Sequence, residues 1–293
     1  MNPQTNHQSV LSRSFLNRPS IALGALAMSA IIATSASAMV SYYIGVDNRT
    51  TIPSGTYMGL ANPNFGNLTF LYAHTYTDTP NINHYHSKST IVYTGPNLGA
   101  GTATVNTTNN FLPEGSAPPL LLQAGVGAYA DKLVNIPDPA NPFSMLDVED
   151  TAKLSSFPAG TPEHFLFTSS AMRWVGSIAG ADVHMKLVSA TPGLFFGTGT
   201  DPNVNPFEDA DGLHLEDSFR FSLFPWVANT AAPGDYRAVF ELEDERPAVV
   251  GGPSPFGDSG RFEFRFRVIP EPSGAALTAI AGALMALRRR RNR

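Results

Sequence analysis

Cysteine is absent from all 293 residues, which excludes a disulfide framework and thiolate metal sites. Any metal centre must therefore be built from His, Asp, Glu or backbone oxygen. Charge is sparse as well, with Asp, Glu, Lys and Arg making up 15% of the chain. All 24 acids lie between Met39 and Pro272, whereas two of the 19 Lys and Arg precede Met39 and five follow Pro272, leaving 12 between them. That body carries a formal charge of −12, against −5 for the whole chain. The basic footprint of a nucleic-acid-binding protein is missing. Long amphipathic helical patterns are missing too, as are H-E-x-x-H, G-x-S-x-G and P-loop motifs.

Both ends carry processing signals. Arg13 and Arg18 precede an apolar stretch, Ile21–Ile32, and Ala36-Ser37-Ala38 supplies an A-x-A pattern before Met39. This predicts a signal peptide over 1–38, cut by signal peptidase between Ala38 and Met39. The leader has no Arg-Arg pair, so the general secretion route is expected rather than the twin-arginine one. At the other end Pro270-Glu271-Pro272-Ser273 leads into the apolar run Gly274–Leu287 and then Arg288, Arg289, Arg290, Arg291 and Arg293. The run is short against the roughly 20 residues that span a bilayer as a helix. Its arginines would hold one end at the cytoplasmic face, which fits a temporary inner-membrane anchor. The tail resembles the PEP-CTERM sorting signal of bacteria. That resemblance implies an exosortase-type protease as partner and delivery to the cell surface or extracellular matrix.

The body, 39–268, reads as all-β, an antiparallel β-sandwich with long loops, followed by the sorting segment 269–293. In Arg261–Val268, Phe262, Phe264, Phe266 and Val268 alternate with charged residues, the period-2 mark of a strand with one apolar face. Tyr236, Ala238, Phe240 and Leu242 alternate in the same way. Further strands are expected at Leu68–His74, Ser89–Tyr93, Phe165–Thr168, Asp182–Val188 and Phe219–Val227. Ala117–Lys132 reads as helical or irregular, its internal glycines weakening a helix, and Thr102–Asn110 as a polar loop.

Chemistry concentrates on histidine. The body holds His74, His84, His86, His164, His184 and His214. His84/His86, Asp182/His184 and His214/Glu216 are each spaced i,i+2, which in an extended strand puts both side chains on one face. Such a pair can converge on one ion. His74 lies ten residues before His84, near a strand end, so a hairpin could return it to the same place. The expected metal ligands are thus His74, His84, His86, His184, His214 and Glu216, with Asp182 in reserve. Imidazole with carboxylate favours Zn²⁺ over Ca²⁺ or Mg²⁺. His164 reads as an exposed loop residue, and Asp201–Asn205 with Glu208, Asp209 and Asp211 as a solvated acidic loop without the Gly and Glu of an EF-hand. Trp174 and Trp226 are candidates for a sugar-stacking platform, with alternating Phe as core.

Tyr42–Asp47 leading into Thr51–Tyr57, Leu71–Thr75, Asn83–His86, Tyr93–Pro96, Val183–Val188 before Thr191–Leu194, and Gly212–His214 together resemble one family. This is the group of small PEP-CTERM proteins of bacteria predicted to be repressed by the zinc-uptake regulator. The resemblance implies expression under zinc shortage and a zinc-related role at the cell surface, with no characterised activity. The expectation is a non-enzymatic zinc-binding protein that scavenges or buffers zinc, with zinc-uptake components or exopolysaccharide as possible partners. The alternatives are a metal-free structural protein of the exopolysaccharide matrix, and a metallohydrolase in which Glu216 or Asp182 serves as base.

Overall fold

The computed structural model describes residues 42–73, 83–87, 89–94, 104–106, 111–112, 119–138, 142–144, 146–208, 212–215, 221–248, 252 and 254–270. Expectations for the leader, for Ala38 and Met39, for His74 and Glu216, and for Glu271, Pro272 and the tail fall outside these residues. Among the described residues, no helix is long and apolar enough to cross a membrane.

The described chain is mostly β. One five-stranded sheet runs Phe221–Ser222, Asp147–Asp150, Tyr42–Val46, Leu68–Ala73, Tyr85–Ser87. A nine-stranded sheet runs Phe195–Gly197, Phe224–Ala228, Lys132–Asn135, Leu120–Ala124, Phe262–Val268, Gly234–Asp244, Val183–Ala190, Leu213–His214, and Phe111–Leu112 also pairs with Phe262–Val268. Val92–Thr94 and Thr104–Asn106 form a separate pair.

The alternating phenylalanines explain the centre of the larger sheet. Tyr236 pairs with Phe266, Ala238 with Phe264 and Phe240 with Phe262, so both strands turn the same apolar set to one side. Tyr42, Phe70 and Tyr72 of the smaller sheet belong to the same buried cluster. Phe70 stacks on Phe262 with ring centroids 4.1 Å apart, and Tyr42 meets Phe264 edge-on at 5.4 Å. The other side of the smaller sheet is covered as well, because Tyr43, Leu71, Tyr85, Leu154, Leu166 and Trp174 form a second cluster. Coverage on both faces is why Tyr42–Val46 and Leu68–Ala73 read as continuous apolar runs rather than alternating ones.

Several expectations need correction. Pairing is mixed rather than purely antiparallel. Tyr42–Val46 runs parallel to Asp147–Asp150, and Phe262–Val268 runs parallel to Leu120–Ala124 and Phe111–Leu112. Each parallel pair is joined by a long crossover through other elements, as parallel geometry requires. Phe165–Thr168 is not a strand, because Pro162–Phe167 is a helix capped by the Thr161 hydroxyl, which accepts from the His164 N–H at 3.3 Å. A capping threonine followed by proline at the first helical position outweighs a three-residue apolar run. The described part of Ala117–Lys132 is strand Leu120–Ala124 and a single 3-10 turn, Gly127–Tyr129, leading back into Lys132–Asn135. Gly125 lies so close to the Tyr129 carbonyl that a side chain there would collide with it; the glycines close a hairpin instead of breaking a helix. Part of the expected loop Thr102–Asn110 is strand, Thr104–Asn106.

Candidate metal centre

The site begins with the strand Val183–Ala190. Its Val183 and Met185 are buried while His184 and Lys186 lie on the opposite, partly exposed side. Asp182, one residue before the strand, falls on the side of His184, as two-residue periodicity requires. On one flank the strand pairs with Gly234–Asp244, setting His184 opposite Glu243. On the other, the two-residue strand Leu213–His214 sets His214 directly opposite His184.

That second pairing depends on Gly212 and Leu215. Gly212 has φ +77°, and a Cβ there would sit 2.5 Å from the Met185 carbonyl oxygen. Only glycine permits both the left-handed turn and this approach. Beyond His214, the Leu215 N–H donates to the Val183 carbonyl at 2.8 Å and the Leu215 side chain is buried. His214 is thus held between a backbone approach and an apolar anchor.

The two imidazole rings stack with centroids 4.8 Å apart. Nε2 of His184 and Nε2 of His214 each lie 3.0 Å from the same atom, Oδ1 of Asp182. Among the described residues, Asp182, His184 and His214 are the one group of three His, Asp or Glu whose donor atoms all lie within 4.8 Å of one another. Side-chain exposure is 12% for His184, 44% for Asp182 and 54% for His214, so an ion could reach the donors from one side. Glu245 Oε2 stands 4.0 Å from His184 Nε2. Lys186 holds that carboxylate at 2.8 Å and Glu243 at 2.6 Å, and these two contacts raise the Lys186 pKa.

The carboxylate next to Asp182 fixes the base of the site. Asp244 accepts from the Asp182 N–H at 3.1 Å and from the Phe256 N–H at 2.8 Å, and pairs with Arg246 at 2.6 Å. Burial pushes the Asp244 carboxyl up, but Arg246 and these backbone donors outweigh it and hold it below the usual carboxylate range.

The donor chemistry fits a borderline cation. Two imidazole nitrogens and one carboxylate are a common zinc set, and donors about 2.0–2.1 Å from a tetrahedral zinc lie roughly 3.3–3.4 Å from one another. The two imidazole–carboxylate separations, both 3.0 Å, reach that value with a few tenths of an ångström of opening. Without an ion, the same 3.0 Å is satisfied by imidazole N–H donating to the carboxylate.

The remaining expected ligands are distributed elsewhere. His84 and His86 lie at and beside the edge strand Tyr85–Ser87 of the smaller sheet, not with His184 and His214 on the larger one. The single site combining them becomes two places, because their segments join different sheets. Tyr85 turns into the second buried cluster, while Nε2 of His84 and Nε2 of His86 approach to 2.9 Å and the His86 ring stacks on Tyr72. His164 is a half-buried helical residue instead of an exposed loop one, because its helix packs against the segment Thr151–Ser156. Asp201 forms a local turn, its Oδ1 accepting from the Asn203 N–H at 2.8 Å. Trp174 is buried, which removes it from any sugar platform. Glu245 and Asp244 escaped the sequence reading, although Glu241, Glu243 and Glu245 alternate at the end of a strand whose apolar face was plain.

Compared with protein-family models, with curated proteins and with solved structures, the chain matches none of them.

Proposed function

We propose that this is an exported β-sandwich protein that binds zinc through Asp182, His184 and His214 without catalysing a reaction. The two sheets would form the sandwich, facing each other across the shared aromatic cluster, an arrangement suited to carrying an edge site on a rigid scaffold. The observation that carries the zinc reading is the meeting of two imidazoles and a carboxylate across a strand pair. Three residues from two segments, brought together by a glycine-dependent turn, offer a donor set that prefers zinc to calcium or magnesium. Glu245 stands ready as a fourth donor if Lys186 releases it. The signal peptide and the PEP-CTERM-like tail put this chemistry outside the cytoplasm, where an acidic body attracts cations. Uptake, buffering or transfer of zinc at the surface of a bacterium follows from that placement.

Equilibrium dialysis of the purified protein against zinc tests the reading. One zinc per chain is expected, removable by chelator, with binding lost in His184→Ala and in His214→Ala. Zinc binding that survives both substitutions sinks it. Loss confined to a His84→Ala/His86→Ala double variant would move the site to the smaller sheet and refute the assignment.

A further inference from the structure

Away from the histidines lies a cleft of about 270 Å³, lined among others by Arg49, Arg173, Tyr57, Tyr93, Ile52 and Pro63. Among the described residues its lining contains two arginines and no acid, in a chain where acids outnumber Lys and Arg by 24 to 19. The two cations are not equivalent. Arg173 is neutralised from behind by the buried Asp47, which its Nε meets at 2.9 Å, and its guanidinium lies 4.3 Å over the Trp174 ring. Arg49 gives one N–H to the Ser170 carbonyl at 2.8 Å and, among the described residues, pairs with no carboxylate. Among the described residues, the cleft therefore keeps one positive charge that no carboxylate offsets.

The backbone holding Arg49 is unusual. Ser170, Ala171 and Met172 all have left-handed φ, at 55°, 52° and 61°, a conformation that side-chain-bearing residues avoid and that clusters at functional sites. Arg49 takes the Ser170 carbonyl, and Asn48 Nδ2 takes that of Met172 at 3.0 Å. The strained turn and the lining arginine fix each other. The Tyr57 and Tyr93 rings, also in the lining, pack with centroids 5.6 Å apart and form an aromatic wall.

We propose that this cleft binds a small monoanionic carboxylate bearing an apolar ring or chain. The carboxylate meets Arg49 beside the pre-positioned Arg173, and the apolar part lies on Tyr57 and Tyr93. A guanidinium matches a carboxylate with paired N–H donors, and a single net charge among apolar walls suits a monoanion better than a strongly hydrated phosphate dianion. This site is independent of the zinc reading.

Calorimetric titration of the purified protein at fixed ionic strength tests it with three probes: phenylacetate, its neutral analogue phenylacetamide, and acetate. Phenylacetate should bind at least about tenfold more tightly than phenylacetamide, the factor that one charge-assisted hydrogen bond supplies, and more tightly than acetate. Arg49→Gln should remove the preference for phenylacetate over phenylacetamide. Tyr93→Ala, which leaves the strained turn untouched, should weaken both aryl probes and retain the preference for charge. Near-ultraviolet circular dichroism verifies folding of each variant. Equal binding of the two aryl probes, an unchanged preference in Arg49→Gln, or no phenylacetate binding at all overturns the proposal.

Discussion

Gly212→Ala separates the packing that builds the histidine site from the chemistry of the site itself. Alanine at φ +77° carries left-handed strain of about 1–2 kcal/mol. Its Cβ would also meet the Met185 carbonyl oxygen at 2.5 Å and the Lys186 Cα at 3.1 Å. Those are backbone atoms of a strand paired on its other side with Gly234–Asp244, so the short strand Leu213–His214 must yield. Moving it weakens the Leu215 N–H bond to Val183 at about 1 kcal/mol and draws the buried Leu215 side chain toward water. A total of about 3 kcal/mol lowers Tm by roughly 6–12 °C in a domain of this size. Zinc affinity should fall at least about 100-fold once His214 leaves, since loss of an outer-shell partner alone costs about 10–100-fold. Gly180→Ala is the control, because Gly180 has φ +76° but open space where a Cβ would go. It should show the strain alone, with zinc binding intact. Thermal unfolding and zinc titration of both variants decide the matter: equal loss of stability in the two, with zinc binding unchanged in Gly212→Ala, refutes the reasoning.

Phe264→Ala should cost about 3–5 kcal/mol in denaturant unfolding, because its buried ring touches Tyr42 and Phe70 of one sheet and Phe240 of the other. Glu263 is buried, its Oε1 lies 4.0 Å from Arg265 and has no hydrogen-bond partner among the described residues, and burial raises its pKa. A carboxyl with a raised folded-state pKa opposes folding when ionised and stops doing so as pH falls through that value. Glu263→Gln should therefore stabilise the protein at pH 7, with the gain shrinking in acid; a gain that grows in acid contradicts the sign. Lys186→Met should tighten zinc binding several-fold, because it removes a cation that holds Glu245 and repels the ion.

Local patterns revealed the strands whose two faces differ. Phe262–Val268 and Gly234–Asp244 stood out because one face is aromatic and the other charged. The crossings that make pairs parallel leave no local mark, so the mixed order of both sheets was not legible. Pro162–Phe167 was missed because Phe165, Leu166 and Phe167 resemble a strand when the capping Thr161 and Pro162 are left out. At the site, Asp182 and His184 were readable from two-residue spacing alone. Their meeting with His214 depends on a register set by Gly212 and Leu215, thirty residues away, and on an edge that only the folded sheet creates. The H-x-H pair was equally readable, but its spacing carried no information about which sheet it would join.

X-ray absorption at the zinc edge, on protein loaded with one equivalent, tests the central claim most directly. Two imidazole nitrogens and at least one carboxylate oxygen at about 2.0–2.1 Å are expected, with the spectrum reverting to that of hydrated zinc in His214→Ala. An oxygen-only shell, or a spectrum unchanged in a His184→Ala/His214→Ala double variant, would contradict it.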